Sequence, residues 1–232
     1  HGATSVDQYR KMGFFFFFIN NFLALLGWSP EDDQEIFSLE ELVERFSLDR
    51  VAKNPAVFDM DKLVWVNGQH MKKLSSEKIT ENAIPQLIEA GFIDDKFLAD
   101  SDKRAWLEKV IDQEREHVSY AAQFPNEVRQ YFLDDVQFEG EEEKELLKDS
   151  KVWLGIKMFL EKLPTTEMTE DGVKALFKGI TKESGLPGKK VFMPIRVALT
   201  GEKHGPEMHH LIPMLGEVRI QKRIQNTLAQ LE

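Results

Sequence analysis

Cysteine is absent from all 232 residues, which excludes a disulfide framework and any thiolate metal centre and suits a reducing compartment such as the cytoplasm. Long apolar runs are absent as well. The longest begins at Phe14 and falls far short of the ~20 residues that cross a bilayer. Arg10 and Lys11 give it the look of a secretory signal, but Asn20 and Asn21 interrupt it and no small-x-small cleavage pattern follows. It reads as a buried core helix, with no membrane segment. Also missing are a glycine-rich phosphate loop after a strand, a His-Glu-x-x-His pair and a serine nucleophile elbow. No catalytic residue is therefore assigned. Alternating runs of strand type are few, and no internal repeat is found.

What is present is enough apolar material, 42%, to bury real cores in one large or two small domains. The net charge of -10 argues at first sight against nucleic acid, whose phosphates are met by lysine and arginine. Its distribution is uneven. Tyr131 to Ser150 holds eight acidic and two basic residues, whereas Pro187 to Glu232 holds seven basic and four acidic. The expectation is a locally positive end that meets a polyanion while the acidic middle faces away.

Helix signals dominate. Ser29-Pro30-Glu31-Asp32 predicts a helix start, with a cap, a first-position proline and first-turn acids. Ser38 to Glu41 forms a capping box, with Phe37 and Leu42 as its apolar staple. Asp59 caps a helix carrying Met60, Leu63 and Val64. A polar joint at Lys72 to Glu77 ends a first domain, residues 1–73. Helical spacing of Ala83, Ile84, Leu87 and Ile88 stops at Gly91, a left-handed cap. The next helix starts at Asp100 or Ser101 and aligns Leu107, Val110, Ile111, Glu114 and Val118. The acidic run Glu139 to Glu145 is taken as a second joint, which divides the remainder into 74–138 and 139–232. Amphipathic helices over Val152 to Leu163 and Val173 to Ile180 precede a break at Gly185, Pro187 and Gly188, and a basic helix covers Leu215 to Leu231.

Six histidines are present, and His204, His209 and His210 lie close together, but their spacing matches no ligand template and no metal ligand is assigned. The carboxylate pairs Asp32-Asp33 and Asp134-Asp135 read as capping charges. Lys189 to Gly201 and its continuation through Met208 differ in character: cations, residues of exposed-loop type and apolar side chains alternate. Single-stranded RNA is read by such a mixture, with arginine for base edges, flat or apolar groups for base faces and lysine for phosphates.

Four stretches in order then carry a specific likeness. They are His1-Gly-Ala-Thr-Ser-Val6 with Leu23-Ala-Leu-Leu-Gly-Trp28, Phe58-Asp-Met-Asp-Lys62-Leu-Val-Trp65-Val-Asn67, Pro194-Ile-Arg196-Val-Ala-Leu-Thr-Gly201, and His204-Gly-Pro206-Glu207. Along essentially the whole chain the sequence resembles bacterial-type, class I glutamyl-tRNA synthetases. The chain opens at His1 without an initiator methionine, and the likeness implies a portion lying after the signature loop, without the catalytic nucleotide-binding domain.

The resemblance implies a mainly α protein: a stem-contact domain remnant followed by an all-helical anticodon-binding domain made of two helical bundles. His1 to Ser5 would complete the signature-loop region beside the ATP site. Lys62, Trp65 and Asn67 would contact the tRNA stem, Trp65 being equally a candidate for the core. Arg196 would read the first anticodon base, the loop at Gly205, Pro206 and Met208 the central bases, with Lys190 beside them. The third base is expected near Arg115, Glu116 and His117. The implied partner is tRNA(Glu), with tRNA(Gln) open as a second. The parent ligase uses ATP with magnesium, whereas this portion is expected to carry no cofactor and to be catalytically inactive alone.

One departure stands out. Phe14 to Phe18 replaces the helix-starting proline and glutamate usual in that family, and five consecutive phenylalanines cover every face of a helix, so some must be exposed or meet a partner. This offers an alternative from another class, a helical protein-interaction module docking through that patch.

Overall fold

The computed structural model describes residues 6–53 and 56–231, so the expectation for His1 to Ser5 lies outside the described residues. It is mainly α, as the sequence predicts; no strand forms among the described residues, and an isolated bridge pairs Trp28 with Val51. Chain contacts divide it into His1–Glu127 and Val128–Glu232. The first unit holds α1 (Val6–Lys11), α2 (Phe16–Gly27), α3 (Leu39–Arg45), α4 (Met60–Met71), α5 (Ser76–Glu89), α6 (Asp95–Ala99) and α7 (Ser101–Glu114). The boundary falls within α8 (Phe124–Phe132), and α9 (Glu141–Lys148), α10 (Trp153–Lys162), α11 (Glu170–Ser184), α12 (Gly188–Thr200), α13 (Met208–Leu215) and α14 (Glu217–Ala229) follow. The joint read at Lys72 to Glu77 is the turn between α4 and α5, and most of the acidic run read as a joint is α9, whose Glu143 and Leu147 are buried.

In the first unit, local capping explains several starts. Ser38 accepts from Glu41 N while Glu41 accepts from Ser38 N, and Asp59, Ser75 and Asp100 cap α4, α5 and α7. Gly91 takes the left-handed φ of +74° after α5. No helix forms at Ser29 to Asp32. The capping signal there has no apolar stripe behind it, and the segment is bound by arginines instead: Arg50 donates to Ser29 O and Pro30 O, and Arg45 pairs with Asp32.

α2 begins on Phe16 without a side-chain cap and packs on α4. Phe14, Ile19 and Phe22 join Tyr9, Leu63 and Val66 in one core. Beside it lies a buried polar knot. Asn21 Nδ2 donates to Glu35 O (2.9 Å), while its Oδ1 accepts from Phe37 N (2.9 Å) and lies 2.8 Å from His70 Nε2. His70, 8% exposed, stacks on Phe18 with ring centroids 4.3 Å apart. Burial, helped by the charge of Lys73, lowers its pKa to about 4.

In the second unit α10 packs on α11 and α12, α11 on α13, and α12 on α14. Ile156, Phe159, Val173, Ile180, Ile195 and Ile224 are among the buried residues. The ends of α8 and α12 are closed by arginines of α14. Arg223, fully buried, donates to Gln130 O (2.8 Å), to Leu133 O and to Leu199 O (3.3 Å). Arg219 donates to Tyr131 O, Phe132 O and Leu133 O and pairs with Asp134. These guanidinium groups satisfy last-turn carbonyls that a helix cannot satisfy itself.

Two measurements test this packing. Removing the Arg223 donors with Arg223→Met should destabilise the chain by about 3 kcal/mol or more in urea unfolding, because buried carbonyls lose charge-assisted bonds. For His70, the unfolded chain takes up a proton between pH 6.5 and about 4 that the folded chain refuses, so stability falls with pH across that window. Relative to His70→Gln, the native chain should lose about 3 kcal/mol more across it.

Candidate nucleic-acid interface

The stretch Lys189 to Gly201, read from the sequence as residues of exposed-loop type, is instead the helix α12, and all of Pro194 to Thr200 is buried. The apolar side chains taken for base platforms mostly face the core at helical spacing. What α12 presents outward is its first turn, with Lys189 and Lys190 exposed. Next to it, Phe177, Lys178, Thr181 and Lys182 of α11 line a groove with Gly188 and Phe192. The Phe177 and Phe192 rings lie 5.4 Å apart. Lys178, Lys182, Lys189 and Lys190 have no ion-pair partner among the described residues. Sequence reading passed over Phe177, Lys178 and Lys182, although lysines four apart beside a phenylalanine were the available signal.

Arg196 is 5% exposed, and its Cζ lies 5.0 Å from the centre of the Phe192 ring, a cation–π distance. Its Nη1 is buried and has no hydrogen-bond partner among the described residues. Burial lowers its pKa, with Glu207 and Glu202 opposing. A side chain at Gly205 would begin 3.9 Å from Nη1, so this exposed glycine lies next to the guanidinium. A buried donor without a partner is costly. The arrangement fits an acceptor supplied from outside.

The loop after α12 is fixed from below. Gly201 has a φ of +76° and backbone of Gln137 where a Cβ would stand, and its carbonyl accepts from Glu139 N (3.0 Å). Glu202, buried, accepts from Gln130 Nε2 (2.9 Å) and pairs with Arg129 (2.7 Å); burial raises its pKa. Lys203 pairs with Glu142 (2.7 Å) and Glu143 (3.3 Å) of α9. The acidic middle thus does not face away from the basic end, as charge distribution alone suggested; opposite charges within reach pair, and the acids neutralise Lys203. Of the predicted loop residues, Gly205 and His204 are exposed, but Pro206 is buried and Met208 is fully buried at the start of α13.

The first-unit candidates divide. Trp65 is 41% exposed, with Lys62 Nζ 4.5 Å from its ring centre and also paired with Glu35. Asn67 is not available as a contact: it is fully buried, accepts from Phe15 N and donates to Ser119 O. Arg115 is likewise engaged, donating to Met71 O, Lys72 O and Leu74 O at the end of α4 and to Asp112. Glu116 is exposed and paired with Lys72, and His117 is exposed. In the phenylalanine run Phe14 is buried, while Phe16 and Phe17 are 54% and 59% exposed.

Comparison with known proteins places this geometry. The family described as "Anticodon binding domain" matches residues 78–228, and "tRNA synthetases class I (E and Q), catalytic domain" matches residues 1–65. The chain belongs to the glutamate–tRNA ligase family through its anticodon-binding domain. It is 43% identical over 229 residues to the glutamate–tRNA ligase of Desulforamulus reducens, covering 98% of this chain and 47% of that one. It is 45% identical over 226 residues to glutamate–tRNA ligase 1 of Caldicellulosiruptor saccharolyticus, 97% and 46% respectively. The chain thus spans about half the length of these relatives. The crystal structure of a glutamate tRNA ligase from Elizabethkingia meningosepticum superposes over 99% of this chain and 45% of that one, with a TM-score of 0.83 and 25% identity. Docking through the phenylalanine patch as an interaction module finds no support in these likenesses.

Because Arg115 closes α4, Arg115→Ala should lower the chain's unfolding free energy by about 2 kcal/mol or more, read by denaturant titration, through loss of charge-assisted bonds to carbonyls.

Proposed function

We propose that this chain binds tRNA and recognises its anticodon, as the tRNA-reading portion of a glutamate–tRNA ligase, with the second unit carrying the main base-reading groups. The observation that carries this is the unpartnered Nη1 of Arg196 next to Gly205, beside an aromatic groove flanked by four unpaired lysines. Each chemical demand of a splayed loop has a group: lysine for phosphate, Phe177 and Phe192 for base faces, Arg196 for a base edge. The overall charge of -10 does not oppose this, since the acids of α9 pair with Lys203 and not with the groove lysines. A base carbonyl or ring nitrogen would give Nη1 the acceptor it lacks.

Lys62 and Trp65 are proposed as stem contacts, with Asn67 and Arg115 supporting the structure behind them and Glu116 and His117 as the exposed pair near the third base. Ligation of glutamate to tRNA, with ATP and magnesium, is proposed for the longer protein, in a cytoplasmic setting. No helix among the described residues is long and apolar enough to cross a membrane. This portion's part is positioning: anticodon contacts hold the acceptor end where the chemistry occurs.

Binding of tRNA(Glu), tRNA(Gln) and anticodon variants by filter assay tests the reading. Arg196→Ala should weaken tRNA(Glu) binding by about 1 to 3 kcal/mol and flatten preference at one anticodon position. Lys178→Ala with Lys182→Ala should weaken all variants alike and reduce the salt slope by about 1 per lysine. Equal loss for every anticodon variant in Arg196→Ala would remove its base-reading role.

A further inference from the structure

Glu170 opens α11, and His209 and His210 lie in the first turn of α13. One carboxylate oxygen of Glu170 and one ring nitrogen of each histidine all lie within 4.8 Å of one another. His210 Nε2 is 3.7 Å from Glu170 Oε1, whereas Lys174 Nζ lies 3.4 Å from the other oxygen, Oε2. The oxygen aimed at the imidazoles is therefore the one the lysine leaves free. Consecutive helical side chains normally diverge by about 100°, yet these two rings converge, with centroids 4.4 Å apart and planes at 65°. Glu207 Oε2 lies 3.9 Å from His209 Nδ1 but does not belong to this close group of three.

Burial first, then the neighbouring His210 and Lys174, lower the His209 pKa. At neutral pH that ring is in the free-base form that ligates. Two imidazoles with a carboxylate suit zinc, nickel or copper ions and not the harder magnesium or calcium, which favour all-oxygen sites. Bonds of about 2.0 to 2.1 Å to zinc place ligand atoms roughly 3.4 Å apart. Reaching that spacing requires rotation of the exposed Glu170 side chain and of the two rings.

We propose that Glu170, His209 and His210 form a binding site for a zinc-class divalent cation that ties the start of α11 to the start of α13. The spacing of the histidines in sequence did not reveal it, because the third donor comes from another helix. It stands independently of tRNA binding, since none of its three donors lines the lysine–phenylalanine groove.

Calorimetric titration of the full chain with zinc sulfate, and with cobalt(II) followed by its visible absorption, tests this. One ion per chain at micromolar affinity, tetrahedral cobalt bands and a higher melting temperature with zinc are expected. His209→Ala with His210→Ala should abolish these, and Glu170→Gln, a surface change that leaves the fold intact, should weaken zinc by about tenfold or more, judged by what lesser, outer-shell losses cost. His204→Ala should leave the isotherm unchanged. Absence of saturable binding in the micromolar range overturns the proposal. So does an isotherm that survives both the double histidine change and Glu170→Gln, or one lost with His204.

Discussion

The second unit depends on guanidinium groups that close helix ends. Arg223 carries its charge into the interior, where burial brings its pKa down to about 10, and directs it at carbonyls of Gln130, Leu133 and Leu199. The charge of Asp134 opposes that lowering, and the negative ends of α8 and α12 add to that opposition. With these two ends joined on α14, Thr200 and Gly201 are held at a fixed point, and so is the loop next to Arg196. Arg115 plays the same part for α4 in the first unit. The arginines that look most inviting for a polyanion are in these places occupied by the protein's own backbone.

A second constraint is electrostatic pairing between segments distant in sequence. Asp134 and Asp135 meet Arg219 and Asn226, and Glu142 and Glu143 meet Lys203. The acidic stretch is thus fastened to the basic one within the second unit. Lys178, Lys182, Lys189 and Lys190 on the α11–α12 side have no such partners among the described residues. A bare count of charges along the chain misjudges which cations remain for a ligand.

Where information was local, the sequence revealed it. The caps at Ser38, Asp59 and Asp100, the left-handed Gly91 and the helical stripe from Leu107 to Glu114 are all formed, since each depends on contacts within a turn or on simple periodicity, whereas Val118, read as part of that stripe, is buried in extended backbone past the end of α7. The start read at Ser29 did not form because Arg50, from a distant segment, claims those carbonyls. The site was legible only in part. Arg196 could be singled out by likeness, but its burial, the burial of Met208 and Asn67, and the commitment of Arg115 to α4 arise from tertiary packing that no spacing encodes. The groove residues Phe177, Lys178 and Lys182 were overlooked because they sit on a helix remote from the matching motif.

Arginine–carbonyl contacts at buried helix ends have a consequence for how this scaffold and its surface respond to ionic strength. Mobile ions cannot approach Arg223, so its hold on the scaffold is scarcely screened, whereas the solvent-facing lysines are damped within a Debye length of about 8 Å at physiological salt. Folding and the proposed adhesion to a polyanion are thereby decoupled: a salt wash would strip the surface clean while the framework beneath kept its shape.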